Sequence, residues 1–182
     1  MSALSRTIRA LVVYESMFGN TQQVAEAIAA GLAEHAQATL VEVGSAPTST
    51  GDDLDLLVVG GPTHGRGMSG RETRRDAMDH AVLPVVSQRI GLREWFDSLR
   101  SRPDVLAAAF DTRFDESRWL SGSAAHVAAT QLRRHGFRLL TAPRSFFVLG
   151  MSGPLAAGEL ERARRWGRML GVDTTIRLSL TR

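Results

Sequence analysis

Val13-Tyr14-Glu15-Ser16-Met17-Phe18-Gly19-Asn20-Thr21 decides how this chain is read. An apolar run, Ile8 to Val13, ends in a short stretch of hydroxyls, an amide and a glycine. A segment with Val24, Ile28 and Leu32 spaced four apart follows, which is the face of an amphipathic helix. A strand delivered into a helix through such a loop gathers backbone N–H groups at the positive end of the helix, a place for a phosphate. Ser16 and Thr21 add hydroxyl donors, Asn20 adds an amide, and Gly19 lets the backbone come close. The loop has no lysine, so it is not of the GxxxxGK[ST] kind, and it lacks the GxGxxG spacing of dinucleotide folds. A terminal phosphate monoester suits it better than a pyrophosphate. The same residues also suit a plain strand–turn–helix connection in which Asn20 or Thr21 caps the helix.

Ser16-Met17-Phe18-Gly19-Asn20-Thr21 resembles the phosphate loop of flavodoxin-like proteins, a Ser/Thr-rich loop ending in Gly-Asn-Thr directly after the first strand. The resemblance implies FMN as the cofactor, with Ser16, Met17, Phe18, Gly19, Asn20 and Thr21 around its phosphate. It extends from Ile8 to about Leu170. No insertion interrupts the last strand, so the chain looks like the short-chain form.

Beyond the loop, apolar runs alternate with helical periodicity, which argues a parallel sheet flanked by helices. The expected strands are Ile8–Val13, Thr39–Val43, Leu54–Gly60, Val105–Phe110 and Arg144–Leu149. Expected helices follow strand one, cover Leu92, Trp95, Phe96 and Leu99, run from Ser121 to His135 with Ser121 or Ser123 as cap and Gly136 as stop, and close the chain at Ala156–Leu170. In that closing helix Leu160, Ala163, Gly167 and Leu170 share a face. The expected fold is α/β: a flavodoxin-like doubly wound five-stranded parallel sheet of order 2-1-3-4-5, with helices on both faces, forming a single domain over residues 1–182.

Two further segments enter through the resemblance. Gly60-Gly61-Pro62-Thr63-His64-Gly65 stands where the family has a Gly-x-Pro-Thr loop against the isoalloxazine, which makes Pro62, Thr63, His64 and Gly65 cofactor-binding candidates. Phe110-Asp111-Thr112-Arg113-Phe114 stands at the third cofactor loop and adds Asp111, Thr112 and Arg113. Electron-carrier flavodoxins usually place an aromatic there, often tyrosine. This chain departs from that pattern, because its single tyrosine is Tyr14, at the end of strand one, in the core or beneath the cofactor. Phe114 or Trp119 are the remaining candidates to cover the ring. No catalytic residue is certain. His64 is a candidate to orient an acceptor or relay a proton, and Arg113 to balance charge near the flavin; each equally suits a surface position.

Composition narrows the classes. There are 182 residues, 43% of them apolar, and no cysteine, which excludes disulfides, thiol nucleophiles and Cys-ligated metal. All 22 basic residues are arginine, and the formal net charge is only +3. Arginines alternate with acids in Arg71–Asp76 and Glu159–Arg168, a pattern of solvated helix faces rather than of a nucleic-acid surface. No ligand spacing for a metal is visible, and no run approaches the roughly 20 apolar residues of a membrane span. A cytoplasmic protein is expected.

The expected function is electron transfer through a non-covalently bound flavin, with a redox partner protein. Two alternatives stay open: an FMN-dependent NAD(P)H:quinone-type reductase with a small-molecule acceptor, and a flavodoxin-fold binding module without flavin. For the reductase, Arg66, Arg71, Arg74 or Arg75 are candidates to meet a nucleotide phosphate. A receiver-domain reading fails, because strand one ends in Tyr14-Glu15 rather than an acidic cluster and strand three ends without a phosphoacceptor aspartate. The long connection from residue 66 to 91 has no assigned role at this level.

Overall fold

Strand β1 (Ile8–Tyr14) sends Ala10, Val12 and Tyr14 to one face of the sheet and Leu11 and Val13 to the other. Both sets are buried, as the period-two geometry of a central parallel strand requires. A computed structural model describes residues 6–65, 67–114 and 122–180. Trp119, Arg66 and Ser121 lie outside the described residues.

The elements follow in chain order: α1 (Asn20–Leu32), β2 (Ala36–Glu42), a 3-10 turn (Val43–Ser45), β3 (Leu56–His64), β4 (Gly67–Met68), α2 (Arg71–Asp79), α3 (Leu92–Ser98), β5 (Leu106–Phe114), α4 (Ala124–Arg134), β6 (Arg138–Leu139), β7 (Arg144–Val148) and α5 (Glu159–Leu180). The main path of the sheet is β2-β1-β3-β5-β6, with β7 also on the outer side of β5 and β4 turned back on β3. All pairings except β3 with β4 are parallel.

The doubly wound order is as expected, but the sheet has seven strands rather than five. The outermost position is split in two. Leu139 pairs with Ala107 and Arg144 with Phe110, so Leu140–Pro143 spans what Ala108 and Ala109 span on β5. Pro143 has no N–H to give the ladder, and an edge position tolerates that.

Two strands run further than their sequence signals. Pairing of β1 with β3 ends at Tyr14 and Gly60, whereas β3 continues beside β5 through Pro62, paired with Thr112, before turning at Gly65 into β4. Once β1 has ended, the missing N–H of Pro62 costs β3 nothing on that side. β5 likewise extends to Phe114 because β7 pairs with Phe110 through Phe114. Pro62–His64 and Asp111–Arg113 therefore stand on strand ends rather than on loops.

The helices close two cores. On one side Val24, Ile28 and Leu32 of α1 pack with Ala163, Trp166 and Leu170 of α5. Here Phe110, Phe146 and Trp166 meet edge-to-face with centroids 6.1–6.3 Å apart. On the other side Trp95 and Phe96 of α3 and Ala124, Ala128 and Leu132 of α4 cover Leu57, Val59, Ala107 and Ala109. Full burial of Val24, Ile28 and Leu32 is worth about 1.5–3 kcal/mol each. A good cap is worth about 1 kcal/mol. Burial thus holds α1 in place without a side-chain cap from the residue before it, and Gly19 supplies none.

α1 and α5 touch backbone to backbone. A Cβ built on Gly31 would lie 2.0 Å from the Arg164 carbonyl oxygen, and one on Gly167 would lie 2.1 Å from that of Ile28. α5 is longer than expected, reaching Leu180, and its buried line is Glu159, Ala163, Trp166, Gly167, Leu170, Gly171 and Thr174. Leu160, expected on that line, is exposed in the first turn of the helix.

Candidate functional site

The loop between β1 and α1 lies at the carboxyl edge of the sheet, beside the ends of β3 and β5. Gly19 takes the left-handed conformation, with φ at +88°, which turns the chain into the helix. Ser16 is fully buried, and its Oγ accepts from the Gly19 N–H at 3.1 Å and the Gln22 N–H at 3.3 Å. With two bonds accepted, the Ser16 hydroxyl still has its own hydrogen to donate. The backbone N–H groups of Met17, Phe18, Asn20 and Thr21 meet no acceptor among the described residues. α1 has no acidic residue in its first turn, so its positive end is uncompensated.

The remaining loop side chains are held from outside. Thr21 Oγ1 lies 2.7 Å from Thr112 Oγ1, both buried, which joins the first turn of α1 to β5. The Asn20 amide forms no hydrogen bond among the described residues and rests against the loop after β7: a Cβ built on Gly153 would lie 2.5 Å from Asn20 Oδ1. Met17 is buried and Phe18 half-buried.

The other sequence candidates divide. Thr63 Oγ1 donates to Asp111 Oδ2 at 3.0 Å and accepts from the Ala124 N–H at 3.0 Å. The same Asp111 oxygen accepts from Ser123 Oγ at 2.6 Å and from the Ala125 N–H at 3.0 Å, while Oδ1 is buried without a partner among the described residues. Thr63 and Asp111 therefore secure the N-terminus of α4, where Ser123 is the cap and accepts from the His126 N–H. Arg113 donates to the Gly122 carbonyl at 3.2 Å, with its Nε buried and unpartnered among the described residues. Pro62 and His64 are half-buried, and Gly65 is the left-handed turn of the β3–β4 hairpin, with φ at +58°. Burial, and then the nearby Arg74 guanidinium, hold the His64 imidazole below its ordinary pKa. Tyr14 joins the core on the α1 side, and burial pushes its phenol upward.

Arg74 is turned inward rather than offered to a nucleotide. It is buried, and it donates to Ser69 Oγ at 3.0 Å and to Glu94 Oε1 at 2.6 Å. Glu15, next to the loop and equally buried, accepts from the Ser69 hydroxyl and, at 2.8 Å, from the Leu92 N–H. Burial raises the Glu15 pKa, against the pull of those two donors and of Arg74. Arg71 is exposed, 3.6 Å from Glu94. Sequence patterns did not single out Glu15, Ser69 or Ser87. Their only signal was a polar residue inside a run otherwise suited to burial, as in Val85-Val86-Ser87.

Comparison with known proteins finds the same doubly wound α/β fold. The flavodoxin family profile matches residues 12–82, from β1 to α2. A short-chain flavodoxin associated with a non-canonical PDU bacterial microcompartment superposes with a TM-score of 0.64 at 17% identity, over 93% of this chain and 99% of that one. The chain has the flavodoxin-like fold. Oxidised flavodoxin 1 from Bacillus cereus gives a TM-score of 0.62 at 18% identity, over 91% and 96% of the two chains. A flavodoxin from the domain Archaea gives 0.61 at 19%, over 92% and 99%. No curated protein sequence matches. At these identities the solved structures establish the flavodoxin-like fold, and the profile adds that β1, the loop and β3 carry the family pattern. Among the described residues, no helix is long and apolar enough to cross a membrane. No cluster of three metal-ligating side chains occurs among them either.

Proposed function

We propose that this flavodoxin-like protein binds FMN by its phosphate at residues 16–21 and serves as an electron carrier. The observation that carries the reading is the set of four unpartnered amides, Met17, Phe18, Asn20 and Thr21, beside the free hydroxyl hydrogen of Ser16. Those donors fit a dianionic phosphate monoester, and no acidic side chain in the first turn of α1 competes with it. Bound FMN would supply the redox chemistry through its isoalloxazine ring.

The protein's own residues then bind and orient. Ser16 and the loop amides hold the phosphate, and Asn20 adds its free side-chain amide. Thr112 fixes the Thr21 hydroxyl. Pro62, Thr63, His64 and Gly65, with Asp111, Thr112 and Arg113, form the strand ends that would border the ring. His64, with its lowered pKa, is neutral at pH 7 and meets a ring as an uncharged partner. Arg113 is the cation on that side.

Adding FMN to the purified protein, desalting and recording the visible spectrum tests the reading. Flavin bands that survive desalting support it. A protein that stays colourless sinks it. In the double variant Asn20→Ala/Thr21→Ala the retained flavin should fall; wild-type retention would remove the phosphate loop from the assignment.

A further inference from the structure

The residues from 81 to 91 follow α2 without regular secondary structure, yet Val85 and Ser87 are buried and their neighbours Val86 and Gln88 are exposed. A fully buried serine in an irregular segment is costly unless its hydroxyl is used. Ser87 Oγ accepts from the Ser16 N–H at 3.0 Å, and the Ser87 N–H donates to the Ser16 carbonyl at 2.8 Å. The Val86 N–H donates to the Met17 carbonyl at 3.0 Å. Three hydrogen bonds thus tie residues 86 and 87 to the first two residues of the phosphate loop.

We propose that residues 85–87 are a clasp that orients the phosphate-loop amides, with Ser87 as a positioning residue for the phosphate; this rests on the reading of residues 16–21 as the FMN phosphate site. The reason is the planarity of the peptide unit. In a trans peptide the carbonyl of one residue and the N–H of the next point in opposite directions. Holding the Ser16 carbonyl therefore sets the direction of the Met17 N–H, and holding the Met17 carbonyl sets that of the Phe18 N–H. These are two of the four amides left without an acceptor. The clasp also keeps both carbonyl oxygens, which an anion would repel, engaged elsewhere.

The clasp is anchored at both ends by the residue beside the loop. Glu15 takes the Ser69 hydroxyl, near the start of the connection, and the Leu92 N–H, just past its end. Arg74 bridges Ser69 to Glu94, whose other oxygen accepts from the Gly91 N–H at 3.0 Å. The connection from residue 67 to 91, without an assigned role in the sequence, becomes a fixed wall for the loop.

The test compares Ser87→Ala with the wild type for the dissociation constants of FMN and of riboflavin, which lacks the phosphate. Ser87→Ala removes the hydroxyl that accepts from the Ser16 N–H, loosening the segment whose backbone bonds orient the donors, and should weaken FMN about 5- to 10-fold. Riboflavin should change little. Val86→Pro, which removes the Val86 N–H at an exposed side chain, should give the same selective loss and serves if Ser87→Ala does not fold. Wild-type FMN affinity in both variants, or equal losses for FMN and riboflavin, would overturn the clasp. If the wild type binds no FMN, the functional reading fails on its own. The clasp is then judged by amide exchange in the free protein: protected Ser16, Val86 and Ser87 amides that exchange faster in Ser87→Ala support it, and unprotected amides overturn it.

Discussion

Thr21 and Thr112 face each other across 2.7 Å, a buried hydroxyl pair that joins the first turn of α1 to the carboxyl end of β5. The two threonines are far apart in sequence, and one comes from each of two expected cofactor segments. Replacing Thr112 by Val leaves the Thr21 hydroxyl buried without this partner, at a cost of about 1–3 kcal/mol. In Thr21→Val/Thr112→Val neither hydroxyl remains, so the double variant should cost less than the sum of the single ones. Urea denaturation of the four proteins reads the coupling, and strictly additive losses would show that the pair contributes nothing jointly.

Replacing Gly167 by Ala should destabilise the protein, although the same change inside most helices gains about 0.5–1 kcal/mol. The new methyl carbon would stand 2.1 Å from the Ile28 carbonyl oxygen, and backbone cannot rotate away. The loss should reach or exceed the upper end of the roughly 1–3 kcal/mol usual for overpacking. Thermal melting checks it, and an unchanged or raised midpoint would contradict the close contact of α1 and α5.

Glu34, just past the end of α1, accepts from Arg168 Nε at 2.6 Å and Nη2 at 3.0 Å and from Arg164 at 3.2 Å, both on α5. The Arg168 hydrogen bond is the main cause that lowers its pKa from 4.5 to about 2. The folded carboxylate holds its proton less tightly than the unfolded one. Its contribution is therefore present above pH 4.5 and lost as pH falls through about 2. The stability difference between wild type and Glu34→Gln should shrink across that window. It should also shrink with added salt, since the groups are partly exposed. A difference independent of pH would remove the ion pair as its source.

His64 gives acid sensitivity of the same sign, but nearer neutrality. Its folded pKa lies below the ordinary value of 6.5, first through burial and then through Arg74. As pH falls below about 6.5 the unfolded chain takes up the proton first, so stability falls until the folded pKa is passed. A proton NMR titration of the His64 ring should show a midpoint below 6.5. His64→Gln should remove that part of the slope of stability against pH. A midpoint at or above 6.5 would place the ring in a more exposed setting than the one described.

The sequence from Ile8 to Leu32 by itself determined the strand, the turn and the helix face, because each depends on local spacing: apolar runs, Val24-Ile28-Leu32 at four-residue steps, and Gly19 at a turn that needs a positive φ. Alternating strand and helix signals argued a parallel sheet, and the family resemblance supplied its order. Tertiary structure alone decided where strands end, since Pro62 and Asp111 stay in the sheet only because neighbouring strands run beside them. It decided that Arg74, which has the same charge as the exposed Arg71, is an internal tie, because Ser69 and Glu94 meet it from other parts of the chain. It also brought Ser87 to Ser16, a contact between distant positions that no local periodicity encodes. Side-chain spacing reports on a residue's own element, whereas hydrogen bonds between distant segments depend on how those elements pack.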